Sequence, residues 1–188
     1  MSEQKNEASN VIVNVPNAVT AARLALAVAL FVLQSFHMYL PALIVFILAA
    51  GTDWVDGYWA RKYDQVTKLG RVFDPFVDKV LICGVFIFLG ADYPNSGVHA
   101  GVAVIIFARE MLVTVLRSMI EQGGGDFSAS RAGKWKMVFQ CAAVVMSLIA
   151  LCGYELPAWY ATVLTGVVWF AVGSTIYSGI GYINAAAK

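Results

Sequence analysis

Four aspartates stand out for their spacing. Asp53 and Asp56 are three residues apart, and Asp74 and Asp78 are four apart. On a helix each pair shares one face. Both pairs sit at the ends of apolar runs, in a chain of 188 residues that is 60% hydrophobic and only 13% charged. If the helices that carry them are joined by the intervening polar link, all four reach one level near the edge of the hydrocarbon. Carboxylates gathered there repel one another and are costly to keep ionised unless compensated. Hard divalent cations are the natural compensation. Oxygen ligands suit Mg²⁺ or Mn²⁺, and four carboxylates suit a pair of ions. The plainer alternative is helix capping and solvation of helix ends, which fits a single aspartate better than two spaced pairs. Gly57, Ala60 and Gly70 add to the ligand reading, because small residues let a phosphorylated group approach the helix backbone. Arg61 can extend towards a phosphate or a lipid head group.

The elements that must position these residues are six apolar runs, at roughly 19–36, 40–60, 75–91, 98–120, 134–153 and 157–177. Each is close to the ~20 residues that cross a bilayer as a helix. The period-2 alternation of a membrane barrel is absent. Pro41, Pro94 and Pro157 stand where helices start or stop. The expected fold is an all-α integral membrane protein with six transmembrane helices in a single domain, 1–188. Residues 1–16 form an N-terminal cytoplasmic segment, read either as a short interfacial helix or as a linker. Residues 17–180 form the bundle.

Basic residues set the orientation. Arg61, Lys62, Lys68 and Arg71 follow the second run, while Arg117, Arg131, Lys134 and Lys136 gather around the end of the fourth and the start of the fifth. The links at the other end carry neither Lys nor Arg. Both termini and the four aspartates are therefore expected on the cytoplasmic side. Trp159 and Tyr160, at the outer rim, fit an interfacial aromatic belt. The N-terminal stretch does not read as a cleaved signal peptide. A formal net charge of +1 gives no reason to expect a nucleic-acid partner. Cys83, Cys141 and Cys152 lie in apolar runs without metal-ligand spacing and read as small hydrophobes. His37 and His99 lie at the far end and cannot complete a zinc site. Gly97 and Gly101 form one GxxxG spacing, a weak signal for close helix packing. The glycine run at 123–126 reads as a turn or link, because no strand or GK[ST] pattern accompanies it.

The string Asp53-x-x-Asp56-Gly57-x-x-Ala60-Arg61, eight residues, Gly70, three residues, Asp74, three residues, Asp78 resembles the signature of the CDP-alcohol phosphotransferases, with every spacing met. "VPNAVTAARL", "IIFAREMLVTVLRS" and "SRAGKWKMVFQ" are similar to segments of the family's bacterial branch that uses glycerol 3-phosphate. The likeness covers the first five runs, and the sixth carries no motif. The link at 122–129 departs from the pattern in being shorter and richer in glycine.

The resemblance implies six membrane helices, two divalent ions and transfer of a substituted phosphate from a CDP-linked donor, here CDP-diacylglycerol, to an alcohol. It makes Asp53, Asp56 and Asp74 metal ligands. Asp78 becomes the general base and a further contact to the metal. Thr52, Asp56, Gly57, Ala60, Arg61 and Gly70 fall on the donor side, with Thr52 near the nucleotide. Arg23 falls near donor phosphates or head groups, and Asn17 and Thr20 cap or line the first helix. The acceptor phosphate needs a cationic pocket, for which Arg109, Arg117, Arg131 and Lys134 are available. Arg109 carries most weight because it lies well inside an apolar run. Its neighbour Glu110 points about 100° away on a helix, which leaves their pairing open, and Lys136 is expected at a head group. The resemblance also implies a homodimer in the cytoplasmic membrane of a bacterium, in contact with membrane lipid. Two rivals stand beside this reading. One is the same donor with inositol phosphate, serine or phosphatidylglycerol as acceptor. The other is a divalent-ion transporter, against which stands the placing of all four aspartates near one face.

Overall fold

The computed structural model describes residues 15–63, 68–122 and 131–186, with side chains described for 20–52, 76–118, 133 and 135–180. Residues 1–14, the glycine run and the departing link from 123 on lie outside these residues. Six α-helices account for nearly all of the rest: α1 Val15–Ser35, α2 Tyr39–Tyr63, α3 Lys68–Ala91, α4 Ala100–Gln122, α5 Arg131–Leu151 and α6 Ala158–Ala186. The shortest have 21 residues. At 1.5 Å per residue that is about 30 Å, the thickness of a bilayer's hydrocarbon.

The helices pair as three hairpins, α1/α2, α3/α4 and α5/α6. Their tight connections lie at one end of the bundle. The first is closed by His37, whose φ of 55° reverses the chain. Met38 N–H reaches Leu33 O, and His37 N–H reaches Gln34 O, both at 2.9 Å. This is a Schellman ending with a histidine where glycine is usual. At the start of α4 the His99 ring accepts from Gly101 N–H at 3.2 Å, as an N-cap does.

The hairpins close into a ring in the order α1, α2, α5, α6, α4, α3, with α3 also touching α5 across the middle. Among the described residues α2 and α3 do not pack on each other, and α1 stands between them. The central position of α3 follows from its sequence. Val77, Leu81, Val85 and Leu89 recur at helical spacing and are buried, with Phe86 beside them. Leu81, Val85, Phe86 and Leu89 meet Leu30, Phe46, Ile106 and Leu148 in one continuous core. Gly84 lets α1 approach, since a Cβ there would run into the Phe31 ring.

The outer surface is apolar. Val28, Ile44, Ile87, Val104, Phe107 and Phe170 are all exposed, while Arg23, Arg109, Glu110, Lys136 and Gln140 are buried. Apolar outside and charged inside is the arrangement of a protein solvated by lipid. Among the described residues one long uninterrupted apolar span occurs, Ala158–Ile180, and the apolar stretches of α1, α2 and α5 are shorter, at Thr20–Ser35, Tyr39–Thr52 and Trp135–Leu151.

The expected helices are all present, and several run further than their apolar patterns. The second continues past 60 through Arg61 to Tyr63, the third begins at Lys68, ahead of Asp74, and the sixth reaches Ala186. The charged link of the sequence is thus largely helix. Gly97 is not part of a helix-packing motif, because it lies in the α3–α4 connection with φ 69°.

Candidate active site

The end of the bundle opposite the tight connections holds the motif residues and all of the Lys and Arg among the described side chains. There the hairpins are joined by 64–67 and 123–130. Asp53, Asp56, Gly57, Ala60 and Arg61 lie on the last turns of α2, and Gly70 and Asp74 on the first turns of α3. Their side chains lie outside the described ones. The uninterrupted helices keep each carboxylate pair on one helical face, as the spacings require. Four carboxylates are a hard-oxygen donor set that fits Mg²⁺ or Mn²⁺. Among the described residues no group of three metal-ligating side chains occurs.

Asp78 is described. It projects from α3 towards α1, where Arg23 Nη1 donates to its Oδ1 at 2.5 Å. The Arg23 side chain is 4% exposed and that of Asp78 27%. The carboxylate therefore has one side against a buried cation and another open to an incoming group. Arg23, expected near donor phosphates or head groups, is the partner of Asp78. Thr52 Oγ1 donates to Ala49 O one turn back at 2.7 Å, which leaves its oxygen lone pairs as acceptors.

A second polar group joins α4, α5 and α6. Arg109 Nη1 donates to Glu110 Oε1 at 3.1 Å, so the two adjacent side chains do pair. Arg109 Nε reaches Thr175 O at 3.1 Å and its Nη2 reaches Ser178 Oγ at 2.6 Å. Lys136 Nζ donates to the same Glu110 oxygen at 2.5 Å. Gln140 Nε2 bonds Thr175 Oγ1 at 3.1 Å. Arg109, Glu110 and Lys136 are 9%, 4% and 8% exposed, so in this cluster two buried cations share one carboxylate. Lys136, expected at a lipid head group, is turned inward. Arg117 lies two turns below Arg109 near the end of α4, and Arg131 and Lys134 lie in the first turn of α5, their side chains outside the described ones.

Thr175 and Ser178 were not legible as partners in the sequence. Their signal was faint, two hydroxyls three residues apart on a helix that also carries Thr162, Thr165 and Ser174. A cavity of about 590 Å³ opens at the other end of the bundle, lined by Tyr93, His99, Pro157, Tyr160 and Trp169 among others and by no Asp, Glu, Lys or Arg. It is remote from Asp78 and offers no charged side chain to a phosphate. Cys83 is buried, and Cys141 and Cys152 are half-buried free thiols, as their apolar settings implied. Of the expected rim aromatics, Trp159 is exposed, whereas Tyr160 turns inward and donates to Met146 O at 2.9 Å.

A lipid-facing six-helix bundle with acidic and basic side chains turned inward defines an integral membrane protein with a polar interior. The profile of the CDP-alcohol phosphatidyltransferase family matches residues 13–177, and the chain belongs to that family. Among curated relatives, a CDP-diacylglycerol–glycerol-3-phosphate 3-phosphatidyltransferase of Pseudomonas fluorescens is 33% identical over 178 residues, covering 92% of this chain and 90% of the relative. The protein of that name from Bacillus subtilis is 33% identical over 91% of this chain and 94% of its own length. That from Rickettsia felis is 34% identical over 93% and 96%.

Proposed function

We propose that the protein transfers a phosphatidyl group from CDP-diacylglycerol to glycerol 3-phosphate, releasing CMP and forming phosphatidylglycerophosphate, at the cytoplasmic face of a bacterial membrane. The observation that carries this reading is the position of Asp78. The last aspartate of the motif is half-buried on α3, held by Arg23, at the end of the bundle where α4 and α5 turn cations inward. Relatives named for this activity match the chain over nearly their whole length, which supports the same donor and acceptor.

In this reading Asp78 accepts the proton of the acceptor hydroxyl. The freed oxygen attacks the phosphorus that bears diacylglycerol, the bond from that phosphorus to the CMP oxygen breaks, and CMP departs. Arg23 fixes the carboxylate towards α1 and balances its charge between turnovers. Asp53, Asp56, Asp74 and Asp78 would hold Mg²⁺ or Mn²⁺, which when bound would neutralise the diphosphate. Thr52, Gly57, Ala60, Arg61 and Gly70 line the donor side. Arg109, Arg117, Arg131 and Lys134 supply the cationic setting of the acceptor phosphate. Arg109 already gives bonds to Glu110, Thr175 and Ser178, so its share is to set the field and hold α6 in place. The diacylglycerol tails stay in lipid while the head group enters between the helices. The protein works as a homodimer, a reading that rests on family resemblance.

The test is CMP release by detergent-purified protein given CDP-diacylglycerol and Mg²⁺, with glycerol 3-phosphate, inositol phosphate, serine or phosphatidylglycerol as acceptor. Release with glycerol 3-phosphate alone, lost in Asp78→Asn, is expected. Release with a different acceptor would keep the donor site and replace the acceptor. No release with any acceptor from folded protein would favour ion transport.

A further inference from the structure

The cavity of about 590 Å³ at the end of the bundle opposite Asp78 is used by none of the transfer steps described above. Its size is that of a small-molecule site. Its walls come from the α3–α4 connection, the start of α4, the end of α5 and the first half of α6. Val102, Leu164 and Val168 close its inner side and are buried, whereas Tyr93, Asn95, His99 and Trp169 line it and are exposed. Along α6 the lining recurs at Ala158, Ala161, Thr165 and Trp169. These are three or four residues apart, so one stripe of the helix faces the cavity. From Ala158 to Trp169 that stripe runs about 16 Å, at 1.5 Å per residue.

That length selects an occupant. The hydrocarbon of a bilayer is about 30 Å thick, so the acyl chains of one leaflet fill about half of it, the depth over which the cavity runs. The protein surface around it meets lipid, since Val104 of α4 and Val163 and Phe170 of α6 are exposed and apolar. No Asp, Glu, Lys or Arg lines the cavity, which suits a chain and not a charged head. Polar groups gather at its shallow end. His99 Nδ1 accepts from Gly101 N–H at 3.2 Å, so in the neutral ring Nε2 carries the proton. The Tyr93 ring meets the His99 ring edge to face, with centroids 5.1 Å apart. Asn95 is exposed in the same connection and adds an amide donor. Two donors at the mouth of a slot as long as an acyl chain match the ester carbonyls of a glycerolipid, which accept hydrogen bonds and lie between the head group and the chains.

We propose that this cavity binds a diacyl phospholipid of the leaflet opposite the reactive end. One acyl chain lies along the α6 stripe, the ester carbonyls meet His99 and Asn95, and the phosphate stays outside in water. The site is separate from the one proposed for CDP-diacylglycerol and does not depend on the transfer reading. The bound lipid fastens α6 to the α3–α4 connection by filling the space between them.

The experiment counts phospholipid retained per chain by native mass spectrometry. Detergent-purified wild type, Ala161→Trp and Val163→Trp are each supplied with dioleoyl phosphatidylethanolamine or dioleoyl phosphatidylglycerol. Ala161 lines the cavity, so a tryptophan there fills it, whereas Val163 is exposed on the same helix outside it. Wild type and Val163→Trp are expected to retain one more lipid per chain than Ala161→Trp. The two head groups should serve alike, because no charged side chain lines the site. A diether analogue, which lacks both ester carbonyls, should bind to wild type about threefold to tenfold more weakly, as for the loss of one or two hydrogen bonds. Replacing Asn95 and His99 together by alanine should erase that difference. Equal lipid counts in wild type and Ala161→Trp would overturn the inference, as would equal binding of diester and diether lipid to wild type. A dimer that Ala161→Trp splits, with no change in lipid count, would overturn it by giving the cavity to a second copy of the chain. Thr165→Phe fills the same stripe and repeats the test where Ala161→Trp fails to fold. Failure of both, with Val163→Trp folded, would overturn it too, by making the cavity a requirement of packing alone.

Discussion

Arg23 and Asp78 are 55 residues apart in sequence and form an ion pair at 2.5 Å that ties α1 to α3. The pair is lopsided. The arginine is almost wholly buried, and the aspartate keeps one side accessible. Truncating the arginine removes the hydrogen bond that holds the carboxylate towards α1. Arg23→Met is expected to lower CMP release by about a hundredfold, in the range seen when a positioned acid or base is misplaced. It should also destabilise the bundle by about 1–3 kcal/mol, below the cost of breaking a fully buried pair because Asp78 is partly solvated. Arg23→Lys keeps the charge and should fall between the two. CMP release together with thermal unfolding in detergent checks both effects.

Arg109 makes a different kind of tie. Its guanidinium joins α4 to the backbone of α6 through Thr175 O, to Ser178 Oγ, and to Glu110. Arg109→Met deprives the Thr175 carbonyl and Ser178 of this donor and leaves Glu110 to Lys136. The expected loss is about 2–4 kcal/mol of stability, as for other broken buried charge networks. Ser178→Ala removes one hydrogen bond and should cost about 1 kcal/mol. If Arg109 acts mainly by holding α6, activity in both variants tracks the folded fraction measured by unfolding. A rise in acceptor KM in Arg109→Met, with stability unchanged, would instead make Arg109 a direct phosphate ligand.

What the sequence made legible follows from what each pattern encodes. Six runs of about 20 apolar residues set the number of helices, because a lipid-solvated chain must satisfy its backbone within each segment. The aspartate spacings point to the proposed reactive end, since two carboxylate pairs at helical separation beside apolar runs are costly without a compensating cation. Helix ends were less legible. Arg61 to Tyr63 and Lys68 to Asp74 read as part of a polar link when judged by hydropathy alone, yet α2 and α3 continue through them. Partner choice was least legible. Whether Arg109 would meet Glu110 depended on rotamers across three helices, and nothing within α4 alone encodes that Thr175 and Ser178 of α6 stand opposite. Lys136 went inward because the Glu110 carboxylate is there to receive it, a relation set by the packing of α4, α5 and α6 around one another.

The donor chemistry of the four aspartates gives a direct test by removal. Incubation with EDTA should abolish CMP release, and Mg²⁺ or Mn²⁺ should restore it, because an all-carboxylate set favours hard cations. Asp53→Ala and Asp56→Ala should raise the metal concentration needed for half-maximal rate, or eliminate activity, while leaving the helical circular dichroism spectrum unchanged. Activity that persists after EDTA treatment in metal-free buffer would require a mechanism in which Arg61 and the inward cations alone balance the diphosphate.

At the far end of the bundle the connection between α3 and α4 offers a control in which stability and chemistry separate. Gly97 has φ 69°, in the left-handed region that side chains other than glycine avoid. A Cβ built there would meet Leu164 Cδ2 of α6 at 2.7 Å. The neighbouring Ser96 is buried, donates to Leu89 O at 2.6 Å and accepts from Val98 N–H at 3.1 Å, so the turn has little freedom to relax. Gly97→Ala should therefore lower stability by about 1–2 kcal/mol from backbone strain, and Gly97→Val by more, since the branched side chain also displaces Leu164. Neither substitution lies near Asp78 or the inward cations. Their kcat and both KM values, corrected for the folded fraction, should match wild type. A change in acceptor KM in Gly97→Ala would mean that the α4–α6 contact transmits from this connection to the reactive end, and would place the strain in this turn among the determinants of turnover.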